Sequence, residues 1–185
     1  MKSPYVIAIA GGSASGKSTL AASLFERLKT MAVCELIAMD RYMRRTDPLA
    51  PKVVVEGIEM FDANHPDSVD NAAVLHAIQN SPAAIVIVEG LMCLAVEELR
   101  SAADLRVFID LDADVRSMRR MERDIRTKRS GGDPAFILAY YLACARVGHR
   151  LYVQPSASFA DILVRGDADP VRTAALISQI ALAER

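Results

Sequence analysis

The sequence predicts an α/β fold in which a sheet of parallel strands is covered by helices on both faces. Three observations predict it. Short apolar runs of strand length alternate with segments of helical spacing along the 185 residues. The runs are continuously apolar, as in strands buried on both sides, rather than alternating apolar and polar. The first run ends in the nonapeptide GGSASGKST at residues 11–19, which carries G-x-x-x-x-G-K-S between a strand and a helix.

The elements follow in order. Residues 5–10 form the first strand, residues 11–18 a glycine-rich loop, and the chain then reads as helix to about Thr30. Further strands are expected at 33–39, 84–88 and 105–110, with a weaker fifth at 161–164. Helices are expected at about 67–79, 95–101, 112–127, 134–151 and 170–183, with Asp112 as an N-cap. Such alternation implies right-handed crossovers and an open sheet. Ligands of open sheets bind outside the carboxyl ends of the strands. Gly11–Ser18, Asp40, Glu89 and Asp110–Asp112 occupy those ends. Two stretches break the alternation. Residues 41–66 are too long for a plain connection; within them Val53–Val55 and Ile58–Phe61 suit a short hairpin or helix. Residues 126–133 contain Ser130-Gly131-Gly132 and suit a hinged tip between two helices.

Composition bounds the partners. Hydrophobic residues make up 52% of the chain, enough for a buried core, and the net charge is −1. Such a balance supplies no global field for nucleic acid or an anionic membrane, and no aromatic residues interleave with the basic ones for base stacking. No apolar run approaches the ~20 residues of a membrane span. The first apolar run leads straight into the loop, unlike a secretory signal. The expectation is a single cytoplasmic domain over residues 1–185, with no nucleic acid and no membrane partner. Cys34, Cys93 and Cys144 lie far apart in apolar stretches and are expected to be small buried hydrophobes.

Backbone N–H groups of a glycine-rich loop at a helix N-terminus bind phosphate oxygens. Gly11, Gly12, Ser13, Ala14, Ser15, Gly16, Lys17, Ser18 and Thr19 are therefore candidate nucleotide contacts. Lys17 is expected to reach the β- and γ-phosphates and Ser18 to hold Mg²⁺ through its hydroxyl. Glu89, at the end of four apolar residues, suits the magnesium shell or a metal-bound water. Asp40 ends the neighbouring strand, where a carboxylate can take the proton of an acceptor hydroxyl and stand close to the metal. Arg116, Arg119, Arg120, Arg123 and Arg126, followed by Lys128 and Arg129, place seven basic residues in fourteen positions. Several share a helix face. Guanidinium groups of that kind stabilise a transferring phosphoryl group. His65 precedes a helix, where a turn role and a place near the acceptor are equally open.

Taken together, these landmarks resemble the uridine kinase / phosphoribulokinase-like family of P-loop kinases. Residues 11–19 are similar to its phosphate loop and residues 37–43 (IAMDRYM) to its strand ending in a catalytic aspartate, here Asp40. Residues 65–70 (HPDSVD) resemble its acceptor motif, and residues 85–91 (IVIVEGL) its Walker-B-like strand with Glu89 as the acid. Residues 110–125 are similar to the approach to its arginine-bearing lid. The resemblance implies a P-loop NTPase of the nucleoside/nucleotide-kinase type: three layers, a parallel five-stranded sheet and a helical lid at about 119–134, with an acceptor-side insertion at about 41–66. It places lid arginines on Arg120 and Arg123 and a further basic position on Lys128. Residues 152–171, with Tyr141, look like the family's C-terminal signature, which puts Arg165 and Gly166 near the adenine.

Three departures bear on the substrate. The family's pyrimidine-reading hairpin between the acceptor helix and the Walker-B-like strand is absent, because Asn80-Ser81-Pro82 joins them almost directly. The family's acceptor-binding aspartate falls on Asn64, with Asp62 able to substitute only through a local shift. A second substrate arginine falls near Ser130, beside Arg129. The implied activity is transfer of the γ-phosphoryl group of ATP, with Mg²⁺, to a hydroxyl of a small molecule. A nucleoside is one acceptor class; a sugar, a sugar phosphate, pantothenate or nicotinamide riboside are others. Arg41, Arg44 and Arg45 suit an anionic acceptor or a solvated loop equally. A nucleotide-binding switch or accessory ATPase is the reading from a different class, although no N-K-x-D-type guanine motif is present. Members of the family often self-associate, and nothing in this sequence bears on a homo-oligomer.

Overall fold

A computed structural model describes residues 3–184. The strands β1 (Tyr5–Gly11), β2 (Cys34–Ala38), β5 (Ile85–Glu89), β6 (Leu105–Asp110) and β7 (Ile162–Arg165) form one parallel sheet in the order β2-β5-β1-β6-β7. The strand order reverses about β1, so the loop after β1 opens into the crevice where ligands of such sheets bind. Strand side chains alternate between faces. Ile7, Ile9, Ile85, Ile87, Val107 and Ile109 pack on one face against helices α1 (Lys17–Leu28) and α7 (Pro170–Glu184). Val6, Ala8, Ala10, Val86, Val88 and Phe108 pack on the other, against α2 (Asn71–Gln79) and α3 (Glu97–Ser101). Burial on both faces explains why these strands read as continuous apolar runs.

The predicted strands all form, within a residue or two. The stretch after Asp40 contains the hairpin alternative: β3 (Lys52–Val55) pairs antiparallel with β4 (Ile58–Phe61) through Glu56 and Gly57, both with positive φ. The helix expected from residue 67 starts later. Pro66–Ser68 form a single 3₁₀ turn, and α2 begins at Asn71 because the Asp70 carboxylate accepts from the Ala73 N–H. Asp112 occupies the N-cap of α4 (Ala113–Arg126) by backbone, but its side chain makes no capping bond. Cys93 and Cys144 are buried as expected, whereas Cys34 is only half-buried. No helix among the described residues is long and apolar enough to cross a membrane.

The helical segment at residues 134–153 departs most from a regular pattern. It opens as α5 (Pro134–Tyr140), passes through a π-turn at Tyr141–Ala145, a short α6 (Arg146–Gly148), and a second π-turn at His149–Val153. Such wide turns re-aim side chains within a helix. Here they bring the helix backbone against the loop before Pro66: a β-carbon at Gly148 would lie 2.3 Å from the Asn64 carbonyl oxygen. His149, next in the chain, bonds the Gln154 side chain through Nε2 at 3.0 Å. Burial, with Arg116 beside it, pushes its pKa down to about 4.

Two outcomes follow from this contact. Gly148→Ala is expected to cost about 1–3 kcal/mol, the usual range for overpacking a filled site, read as a lowered denaturation midpoint. His149 is neutral when folded and protonates more readily when unfolded. Its contribution to stability is therefore fully present above about pH 6.5 and lost toward pH 4, with a limiting slope of about 1.4 kcal/mol per pH unit. The difference in midpoint between the native chain and His149→Gln should change with pH across that window and be flat above it.

Candidate active site

The loop after β1 is held in a conformation that ordinary residues resist. Gly16 has φ +105°, and Ala14 has φ +63°. Space around the Gly16 α-carbon is open, so its backbone conformation, not crowding, calls for glycine there. The loop is also wedged from behind. A β-carbon at Gly12 would lie 2.7 Å from a guanidinium nitrogen of Arg116, and one at Gly166 would lie 2.6 Å from the Ser15 carbonyl oxygen. Arg116 is itself fixed by donating from Nε to the Leu111 carbonyl at 2.9 Å.

The loop opens on a cavity of about 430 Å³. Ser13, Ala14, Gly16, Lys17, Ser18 and Thr19 line one side; Asp40, Glu89 and Asn64 line another; Arg119, Arg120, Arg123 and Arg129 close it. Lys17 is buried and donates from Nζ to the Gly12 carbonyl at 3.0 Å. Burial pulls its pKa down, and the nearby Glu89 and Asp40 carboxylates oppose the shift. Glu89 is 8% exposed, and burial pushes its carboxyl up against the influence of Lys17 and of the Ser18 hydroxyl, which donates to Oε1 at 3.1 Å. Asp40 stands exposed in the 3₁₀ turn Met39–Tyr42 that follows β2.

The arginine row divides by turn of α4. Arg116 points beneath the loop as a buttress rather than into the cavity. Arg119 donates to the Gly166 carbonyl at 3.3 Å. Arg120, Arg123 and Arg129 converge on one carboxylate, Asp124, at 3.3, 2.8 and 3.7 Å. Asp124 and Arg120 are buried, and burial lowers the Arg120 pKa with Asp124 opposing. The Arg123 contact has one good hydrogen bond, from Nε at 2.9 Å. Its second terminal nitrogen sits within ion-pair distance of Asp124 but outside hydrogen-bond geometry, and it is buried without an acceptor.

A second, smaller cavity of about 160 Å³ lies beside the loop, lined by Ser15, Gly16, Thr19, Arg119, Arg165 and Gly166 among others. Arg165 is exposed and paired with Asp167 at 2.8 Å. A third lobe of about 140 Å³ adjoins the central cavity, lined by Phe61, Tyr140, Arg45, Arg120 and Arg129 among others.

Two of the residues expected at the acceptor turn elsewhere. The Asp62 carboxylate accepts from the Asn64 N–H and from the Cys144 thiol, both at 2.8 Å, and does not line the central cavity. It is held there because Asn64, 4% exposed, is itself clamped by a 3.0 Å bond from its amide to the Cys144 sulfur. His65 caps its own turn, accepting from the Asp67 N–H at 3.1 Å, and packs edge-on against Tyr152. Gly11 and Gly12 shape the loop without lining the cavity. Arg45 was indistinct from its loop neighbours in sequence, and Arg119 from the rest of its row; both line cavities.

Ser18, Glu89 and Asp40 are hard oxygen donors around one cavity. No group of three or more His, Cys, Asp or Glu side chains suited to a metal occurs among the described residues. A sparse set of this kind fits Mg²⁺, which takes few protein ligands and completes its shell with waters and phosphate oxygens.

Comparison with known proteins adds to this geometry. Residues 61–170 match the model of the Phosphoribulokinase / Uridine kinase family. The chain is 30% identical to a uridine kinase of Clostridium perfringens over 89% of this chain and 88% of that one. It is 29% identical to a uridine kinase of Lactobacillus johnsonii, covering 88% and 87% of the two chains. Its fold is similar to that of a kinase ascribed to a fructose transport system in a Silicibacter species. That match has a TM-score of 0.62 and 17% identity, and covers 88% of this chain and 90% of the other.

The shared carboxylate generates a stability prediction. Asp124→Ala is expected to cost about 3–5 kcal/mol, because it leaves buried guanidinium charge unpaired. Adding Arg120→Met to that variant should recover a measurable part of the loss in denaturant titrations. A double variant no more stable than Asp124→Ala would show that the buried pair is not what Asp124 contributes.

Proposed function

We propose a catalytic arrangement for this chain, which belongs to the Phosphoribulokinase / Uridine kinase family and is an ATP-dependent small-molecule kinase. ATP lies with its triphosphate along the loop at Gly11–Thr19 and its base toward the cavity bordered by Arg165 and Gly166. Lys17 exchanges the Gly12 carbonyl for β- and γ-phosphate oxygens. Ser18 and Glu89, with Asp40 across the cavity, would hold a Mg²⁺ ion. When bound, that ion neutralises phosphate charge and orients the γ-phosphoryl group.

Asp40 orients the acceptor hydroxyl and accepts its proton as the acceptor oxygen bonds to the γ-phosphorus. The bond from that phosphorus to the β–γ bridging oxygen breaks, and ADP leaves. Arg123 and Arg120 stabilise the charge spread over the equatorial oxygens. The lid at about 119–134 excludes water that would otherwise be phosphorylated. The observation that carries this reading is that Lys17, the Ser18–Glu89 pair and Asp40 border a single cavity.

The relatives' names make a nucleoside one candidate acceptor. A different small alcohol is favoured by one observation: α2 ends at Gln79 and β5 begins at Ile85, which leaves no room for a base-reading hairpin. A screen of hydroxyl acceptors with radiolabelled ATP, uridine included, separates the two. With the acceptor so found, Asp40→Asn and Lys17→Ala should each lower kcat/KM by about 10²–10⁴, within the range of a lost acid–base or phosphate-stabilising group, at unchanged melting temperature. Near-normal turnover by Asp40→Asn would refute the base assignment. Steady ATP hydrolysis indifferent to every acceptor would favour an accessory ATPase.

A further inference from the structure

The lobe between Phe61 and Tyr140 shares Arg45, Ala63, Arg120 and Arg129 with the cavity that holds Asp40, so the two adjoin. Its side chains supply hydrogen-bond donors almost exclusively. Arg45, Arg120 and Arg129 border it, and Asp124 is its one carboxylate. Asp124 is already shared among three guanidinium groups. Asp62, the other acid of this wall, is turned to Asn64 and Cys144. Arg45 has no carboxylate within ion-pair distance among the described residues. It donates only to the sulfur of Met43 at 3.0 Å, a weak acceptor, and leaves the rest of its donors for a ligand.

Each aromatic wall carries a guanidinium over one ring face. The Arg45 guanidinium sits over Phe61 at 5.4 Å and that of Arg120 over Tyr140 at 5.9 Å. These contacts pre-orient both guanidinium groups at the lobe and put positive charge where a neutral ring would stack. This surplus of donors and positive charge favours a ligand that accepts hydrogen bonds and carries negative charge.

We infer that the acceptor is an anionic alcohol, whose phosphate or carboxylate group sits between Arg45 and Arg129 while its hydroxyl faces Asp40. This rests on the kinase reading of the central cavity and deepens it. Arg45 and Arg129 then determine specificity: they bind the end of the acceptor that does not react. Truncating such a contact weakens ground state and transition state alike, so KM rises more than kcat falls.

Calorimetric titration of the whole protein, saturated with a non-hydrolysable ATP analogue, tests the inference. The probes are ribose 5-phosphate against ribose, and glycerate against glycerol, with uridine as a further neutral alcohol. The expected result is that at least one anionic probe binds about tenfold or more tightly than its neutral partner, as charge-assisted pairing with guanidinium allows. Arg45→Gln and Arg129→Gln should each remove most of that preference, while melting temperatures stay unchanged because both side chains are exposed. Which pair shows the preference distinguishes phosphate from carboxylate. Equal binding within both pairs, no binding of either anion, or a preference indifferent to Arg45→Gln overturns the inference. Uridine binding that exceeds both anions and survives Arg45→Gln does the same. The two readings fail separately: an acceptor-dependent kinase without anion preference sinks this inference alone, whereas anion binding without phosphoryl transfer to any alcohol sinks the kinase mechanism.

Discussion

The active site depends on a loop held in a backbone shape that it would not keep alone. Left-handed or near-left-handed conformations at Ala14 and Gly16 cost free energy that the surroundings must offset. The surroundings do so by close packing. Arg116 fills the space behind Gly12, the turn at Gly166 presses on Ser15, and β6 approaches so closely that a β-carbon on Gly11 would meet the Ile109 carbonyl at 2.5 Å. The loop amides are thereby aimed before any phosphate arrives, so little reorganisation remains for the bound state. The helix that supplies cavity arginines also supplies this buttress, which ties the shape of the loop to the placement of α4.

Electrostatics at the site are arranged around two buried anions. Glu89 offsets the burial of Lys17, and Asp124 offsets that of Arg120 while also drawing in Arg123 and Arg129. Neither anion neutralises its surroundings fully. At Asp124 three positive groups share one negative, and surplus positive charge toward the cavity is what a polyphosphate requires. Rigid placement matters as much as sign. A guanidinium that keeps a hydrogen bond to Asp124 presents its remaining donors in a fixed direction.

The acceptor wall is built by packing of a different kind. Two π-turns carry the helix through residues 141–153 past the loop before Pro66, and only a glycine at 148 permits that approach. The thiol of Cys144 then joins Asp62 and Asn64, and the Tyr140 hydroxyl donates to the Phe61 carbonyl at 3.1 Å. The wall presents an amide and guanidinium groups rather than carboxylates.

Local pattern alone determined the sheet, the loop and the acids at the strand ends. Strand burial on both faces writes itself into continuous apolar runs such as Ile85–Val88, and the loop's chemistry depends on residues adjacent in the chain. Asp40 and Glu89 were legible because parallel strands all deliver their carboxyl ends to one side. Tertiary structure decided which long side chains of a row point where. Arg116, Arg119 and Arg120 look alike in sequence, and α4 sends one beneath the loop, one to Gly166 and one to Asp124, because 100° of rotation per residue meets different neighbours. It also decided that Asp62 and His65 serve their own loop and that Arg45 enters the cavity. The place of Asp62 rests on a contact across some 80 residues, with Cys144, and no local spacing encodes a partner so distant along the chain.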